Sequence, residues 1–195
     1  MKFFLDTANI EEIEDLIPTG LIDGVTTNPS LIAKHGADMA ETIKAICSIV
    51  SGPVSAEVTA KEFTKMLEEG EYLASLAKNV AVKVPLTVDG LKTCKALRAK
   101  GTMVNVTLCF SAAQALLAAK AGATFISPFV GRLDDIGEKG MDLIEDIVVM
   151  YENYAFDTEV LVASVRTKQH LIDAAIIGAH VATLPPKVIY ELYEH

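Results

Sequence analysis

The 195-residue chain has no surplus of positive charge: 17 Lys and Arg stand against 26 Asp and Glu, a formal net charge of −9. A protein that coats nucleic acid or an anionic membrane is expected to be basic, so neither partner is expected here. No apolar run reaches the length of a membrane span, because Gly, Lys or Asp interrupts the longest of them. The opening Met1-Lys2-Phe3-Phe4-Leu5-Asp6 turns acidic too early for a signal peptide. Cys47, Cys94 and Cys109 form no CxxC pair and leave one thiol over in any disulfide scheme. They read as reduced packing residues, Cys47 and Cys94 on helices and Cys109 just after a strand, and the expected compartment is the cytoplasm. His35, His170, His180 and His195 are scattered without an HxH or HExxH pair, and Asp134-Asp135 reads as a solvated loop pair, so no metal site is expected. Neither a G-x-S-x-G elbow nor a P-loop is present, which leaves hydrolase and nucleotide-kinase chemistry without a foothold.

What the chain does have is a core and a rhythm. Hydrophobic residues make up 51% and charged residues 22%, enough apolar surface for one domain over residues 1–195. Short β-branched runs alternate with longer segments of helical period. Strands are expected at Lys2–Leu5, Gly24–Thr27, Val54–Val58, Val80–Val84, Met103–Leu108, Thr124–Pro128, Val160–Ser164 and His180–Leu184. Helices are expected at Asn9–Leu16, Asp38–Val50, Lys61–Leu76, Ser111–Ala121, Asp142–Met150 and Lys168–Ile177. Ser30, Ser111 and Thr167 stand where N-caps belong, and Gly36, Gly101 and Gly122 where helices should stop. Strict alternation implies a parallel sheet buried on both faces. Eight units without a hairpin favour an α/β fold of the (β/α)₈ TIM-barrel kind. An open doubly wound sheet is the alternative, but Asp6-Thr7-Ala8-Asn9 after the first strand is no glycine-rich phosphate loop.

Strands buried on both faces should be apolar throughout, yet seven of these carry polar residues at or near their C-terminal ends. They are Asp6, Thr26 with Asn28, Glu57, Lys83, Asn105 with Thr107, Ser127, and Ser164 with Arg166. In a barrel those ends converge on the mouth where active sites are built. Lys83 is the sharpest case. An ammonium in a buried strand is costly, and a desolvated lysine amine is the nucleophile of Schiff-base chemistry. The plainer readings are an edge-strand guard or a side chain that snorkels to the rim. Glu57 could shuttle protons for an imine or simply pair with Lys83, and the two are compatible. Asp6 could be a general base or, read by itself, the cap of the first helix. Thr107 could hold a water or be an ordinary strand threonine. Asn28, Asn105 and Ser127 suit polyol hydroxyls, with turn and capping duties open to Asn28 and Ser127. Arg132 and Arg166 follow adjacent strands and could clamp a phosphate, or form surface ion pairs with Asp134, Asp135 or Glu138.

Phe-Leu-Asp-Thr-Ala-Asn (4–9), Gly-Val-Thr-Thr-Asn-Pro-Ser (24–30), Val-Ser-Ala-Glu-Val (54–58) and Val-Lys-Val-Pro (82–85) form the first half of a recognisable set. Asn-Val-Thr-Leu (105–108), Ser-Pro-Phe-Val-Gly-Arg-Leu-Asp-Asp (127–135) and Ala-Ser-Val-Arg (163–166) complete it. In this order the segments resemble the small transaldolase/fructose-6-phosphate aldolase family of class I aldolases. The resemblance implies a Schiff base on Lys83, proton removal from the donor hydroxyl by Asp6, and a water held by Glu57 and Thr107. It further implies donor contacts from Thr26, Asn28, Asn105, Ser127 and Phe129, a phosphate site of Arg132, Ser164 and Arg166, and no cofactor. The implied reaction moves a dihydroxyacetone unit from sedoheptulose 7-phosphate to glyceraldehyde 3-phosphate, giving erythrose 4-phosphate and fructose 6-phosphate, in the non-oxidative pentose phosphate pathway. Family members that act as fructose-6-phosphate aldolases carry Gln at the position of Glu57 and Tyr at that of Phe129, so both residues match the transaldolase side. Aldolase-type cleavage on the same site and an idle sugar-phosphate-binding barrel are the competing expectations. Members usually continue past the equivalent of residues 190–195 with roughly another helix, so a barrel without that C-terminal helical segment is expected. The same likeness implies a homo-oligomeric ring of five or ten copies.

Overall fold

A computed structural model describes residues 1–34 and 38–195 of the chain. Eight strands pair in chain order, every pair parallel, and β1 closes on β8 to make a barrel. The strands are β1 (Lys2–Asp6), β2 (Gly24–Thr26), β3 (Val54–Glu57), β4 (Val80–Pro85), β5 (Met103–Cys109), β6 (Phe125–Pro128), β7 (Glu159–Val162) and β8 (Val181–Leu184). Outside the first four run helices α1 (Ile10–Leu16), α2 (Pro29–Lys34), α3 (Met39–Ile49), α4 (Phe63–Leu76) and α5 (Val88–Ala99). Helices α6 (Ala112–Lys120), α7 (Val130–Asp135), α8 (Gly140–Asn153), α9 (Lys168–Ile177) and α10 (Pro186–Glu191) cover the rest. The fold is the expected (β/α)₈ barrel, and no helix among the described residues is long and apolar enough to cross a membrane.

Several local expectations need correction. Asp6 caps nothing: it is the last residue of β1, and Asn9 caps α1 by accepting from the Glu11 amide. Ser30 is not a cap either. Pro29 opens α2, a position where its missing N–H costs nothing, and the Asn28 side chain takes the Leu31 amide at 2.9 Å. Ser111 and Thr167 cap α6 and α9 as expected, while Gly101 and Gly122 follow their helices with positive φ. Gly36 and His35 lie outside the described residues. Asp134 and Asp135 end α7 instead of lying in a loop. Cys109 is inside β5, because a bulge between Val106 and Cys109 puts Leu108 in the left-handed region and inserts one extra residue. Cys47 and Cys94 lie on α3 and α5, and burial pushes the thiols of Cys47, Cys94 and Cys109 up to about 11, 12 and 11, so all three stay protonated and inert near neutrality.

Two apolar regions hold the barrel. The larger lies between strands and helices and takes the outward residues, such as Val25, Val82, Val104 and Ile126 with Leu97, Ile43 and Ile144. The smaller plugs the barrel interior: Phe4, Ala81, Phe125, Leu161, Ala163 and Val181, with Met103 packed against them. Phe4 and Phe125 meet edge to face with ring centres 5.7 Å apart. Gly24 makes room for that plug, since a Cβ there would come within 2.6 Å of the Phe4 ring and of the Pro53 carbonyl.

Side chains on a strand alternate, so the residue two positions beyond each plug residue also points inward, one layer nearer the C-terminal mouth. That step leads from Phe4 to Asp6, Gly24 to Thr26, Ala81 to Lys83, Met103 to Asn105, Phe125 to Ser127, and Val181 to Thr183. On β7 it leads from Leu161 to Ala163, which is apolar, with polar Ser164 next in the chain. On β3 the step leads from Ser55 to Glu57, so the floor of the mouth is apolar but for Ser55 and its wall is largely polar.

Candidate active site

The mouth holds two connected lobes that share Lys83, Asn28, Thr107, Phe129 and Arg132. The deeper, of about 180 Å³, adds Asp6, Thr26, Ser127, Ala163, Ser164 and Thr183. The wider, of about 470 Å³, reaches Glu57, Leu31, Lys34 and Leu108.

Lys83 is 7% exposed, and its ammonium lies 3.0 Å from Glu57 Oε2 and 3.3 Å from the Thr27 carbonyl it donates to. The strand register explains the pairing, for Glu57 stands opposite Lys83 and Lys83 opposite Asn105. The salt bridge offered as the plainer reading of Glu57 is thus present, beside a cavity that both residues line. Lys83 neither guards an edge, since the closed sheet has none, nor snorkels away from the interior.

Asp6, at the end of β1, lines the deep lobe together with Lys83. Burial raises its carboxyl above the ordinary value of 3.8. The hydrogen bond from Thr26 (2.8 Å to Oδ1) and the nearby Lys83 charge pull it back, and Glu57 pushes it further up. Thr107 is 1% exposed, and its hydroxyl is buried without a hydrogen-bond partner among the described residues. Most buried hydroxyls are paired, so the unpaired Thr107 hydroxyl stands out in a wall that Lys83 also lines.

Asn105 is fully buried and does not line the cavity. Its amide donates to Ser55 Oγ at 3.1 Å and its carbonyl accepts from Ser127 Oγ at 2.7 Å. The fixed amide therefore orients the Ser127 hydroxyl, and Ser127 faces the lobe. Asn28 caps α2 and lines both lobes at once.

The two arginines differ. Arg132 lines both lobes, its guanidinium carbon 5.7 Å from the centre of the Phe129 ring, a cation–π distance that aims it along the wall. Arg166 is gripped at the rim by Asp135 through both terminal nitrogens, Nη2 to Oδ2 at 2.5 Å. This pairing holds the Asp135 carboxyl below its usual range and raises Arg166 further. The surface ion pair read as the alternative for Arg166 is the one observed, and Asp134 is engaged by His170 Nε2 at 2.9 Å. Gly131 permits the arrangement, since a Cβ there would sit 2.7 Å from Arg166 Nε and 2.3 Å from the Ser164 carbonyl. Ser164 adopts a left-handed φ of 58° that turns the chain out of β7, and its carbonyl accepts from the Gly131 amide.

The sequence reading passed over Thr183, the eighth strand's contribution to the wall. It stands two positions beyond Val181, the step that also leads to Asp6, Thr26, Lys83 and Ser127, and that period was its signal. Among the described residues no group of three or more His, Cys, Asp or Glu is placed to hold a metal ion.

A parallel (β/α)₈ barrel with polar side chains gathered at the C-terminal ends of its strands is the arrangement of barrel enzymes. The model of the transaldolase/fructose-6-phosphate aldolase family matches residues 3–195, and the chain belongs to that family. A probable transaldolase from Chelativorans sp. (strain BNC1) is 63% identical over 195 residues, all of this chain and 90% of that protein. Another from Novosphingobium aromaticivorans is 65% identical with the same coverage. Among solved structures, the thiamine phosphate pyrophosphorylase from Pyrococcus furiosus superposes with a TM-score of 0.69 over 99% of this chain and 94% of that one. At 14% identity that likeness concerns the fold alone.

Proposed function

We infer that this chain is a transaldolase, an enzyme that passes a dihydroxyacetone unit between sugar phosphates through an imine on Lys83. The observation that carries the reading is a buried lysine, 3.0 Å from a carboxylate, in the wall of a cavity that also holds Asp6 and the orphan hydroxyl of Thr107.

The Lys83 amine adds to the C2 carbonyl of a ketose phosphate, and loss of water gives the protonated imine. Glu57, ion-paired with that amine, takes and returns the protons of both steps, and Thr107 supplies the second contact for the water that leaves and later re-enters. Asp6 takes the proton of the C4 hydroxyl as the C3–C4 bond breaks. The bond's electrons flow into the imine to leave an enamine, and the aldose phosphate departs as an aldehyde. Addition of the enamine to a second aldose phosphate reverses these steps, and hydrolysis frees Lys83. Thr26, Asn28 and Ser127 hold donor hydroxyls, with Asn105 fixing Ser127 from behind. Arg132 binds the phosphate with Ser164, and Arg166 joins from the rim. No step calls on a cofactor. Family membership is the support for the further readings: the non-oxidative pentose phosphate pathway, the cytoplasm, and a ring of five or ten copies.

Phe129 separates transfer from cleavage. Its ring lies between Arg132 and Phe110 and offers no hydroxyl to protonate the enamine, which therefore waits for an aldehyde. With fructose 6-phosphate alone the enzyme is expected to release little glyceraldehyde 3-phosphate, and with erythrose 4-phosphate added it forms sedoheptulose 7-phosphate. Phe129→Tyr is expected to raise cleavage relative to transfer several-fold in steady-state assays. Equal cleavage with and without acceptor in the parent protein would mean an aldolase, and an unchanged ratio in the variant would remove Phe129 from the account.

A further inference from the structure

One polar side chain of the deep lobe has no part in this chemistry. Thr183 is 3% exposed on β8, a strand that flanks β1 on the side opposite β2. Thr26 stands opposite Asp6 across the β1–β2 pair, and Thr183 stands opposite Phe4 on the other side of β1, so both side chains reach the barrel interior beside Asp6. Their hydroxyls meet inside the barrel at 2.5 Å. A threonine hydroxyl has one hydrogen to give. That of Thr26 goes to Asp6 Oδ1 at 2.8 Å, so the hydrogen between the two threonines comes from Thr183. The result is a one-way chain from Thr183 to Thr26 to the Asp6 carboxylate, its two hydroxyls buried.

We propose that Thr183 is a positioning residue for Asp6 that acts through Thr26, fixing the carboxylate's orientation and favouring its charged form for proton removal. A hydroxyl that already accepts a hydrogen bond donates a stronger one, so Thr183 strengthens the Thr26 contact it never shares with Asp6 directly. Without Thr183, Thr26 is also free to turn its hydrogen away. The charged groups that act on Asp6 are Lys83 from β4, which favours the carboxylate, and Glu57 from β3, which opposes it. Beside them the hydroxyl chain is the neutral contact that favours the carboxylate, against the burial that opposes it. The proposal rests on Asp6 being the base.

Thr183→Val keeps the shape and deletes the donor. It is expected to move the acid limb of the kcat/KM–pH profile upward by about half a pH unit, a roughly three-fold loss on the acid side. KM for the donor sugar should stay nearly constant, and Thr183→Ser should restore the parent profile. In a Thr26→Val background, Thr183→Val should add nothing, because the chain is already cut. A second full displacement in the Thr26→Val background, or an acid limb and an Asp6 carboxyl titration that both stay put in folded Thr183→Val, overturns the proposal. The carbon-13 carboxyl resonance of Asp6 gives a reading independent of turnover. If it titrates higher in Thr183→Val while the kinetic limb stays put, Thr183 positions Asp6 but Asp6 is not the base. If neither moves, Thr183 has only a packing role.

Discussion

Lys83→Met is expected to give a folded barrel whose transfer activity has fallen by at least about four orders of magnitude, the scale on which loss of a covalent nucleophile is felt. Methionine keeps most of the buried stem, so packing against β3 and β5 survives. The substitution also removes an ammonium whose burial is unfavourable, and it leaves Glu57 facing the wider lobe, where solvent reaches it. Melting within a few degrees of the parent is therefore expected, and inactivity then reports chemistry and not unfolding. Lys83→Arg separates charge from nucleophilicity: it retains a cation beside Glu57 but forms no imine, so it too should be inactive. More than about one percent of parent activity in Lys83→Arg would show that the positive charge, and not covalent attack, matters at this position.

Asp6→Asn should lower activity and raise stability together. Burial raises the Asp6 carboxyl in the fold, so the folded protein holds that proton more tightly than the unfolded chain. Its contribution to stability is complete below the ordinary value of 3.8 and is lost as pH rises through the higher folded value. An ionised Asp6 near neutral pH is thus held at a cost to folding, partly offset by the Lys83 charge and the Thr26 hydrogen bond. Asparagine removes the charge and still accepts the Thr26 hydrogen bond. The variant should melt above the parent at pH 8, with the gain shrinking as pH falls toward 4. Loss of the general base should lower turnover by roughly two to four orders of magnitude. A variant no more stable than the parent at pH 8, or a gain that grows in acid, would contradict the placement of an uncomfortable carboxylate there.

The barrel was legible because its strands had no choice of face. With both faces buried, runs such as Val80–Val84 are nearly all apolar, and each polar residue within them had to be answered by the mouth. Lys83, Glu57, Thr107 and Ser127 stood out for that reason. Their partners did not. Thr26 and Thr183 are 157 positions apart and meet only when β8 closes on β1. Asn105 suits a sugar hydroxyl, and the inward step that marks it also brings its amide to Ser55 and Ser127, two partners far away in sequence. Arg166 had three acids within reach in sequence, and α7 decided the matter by presenting Asp135 one turn beyond Gly131. The bulge at Leu108 carries no glycine to announce it. α7 is too short for a helical period to show, and the apolar face of α5 (Leu91, Cys94, Leu97) is narrow between lysines and Asp89.

The central claim is a covalent bond to one lysine among those of this chain. Incubation of the parent protein with fructose 6-phosphate, borohydride reduction and peptide mass spectrometry read it directly. The account predicts a reduced sugar adduct on the peptide that contains Lys83 and none in Lys83→Met. Folded parent protein with no adduct, or with the adduct on another lysine, would contradict it.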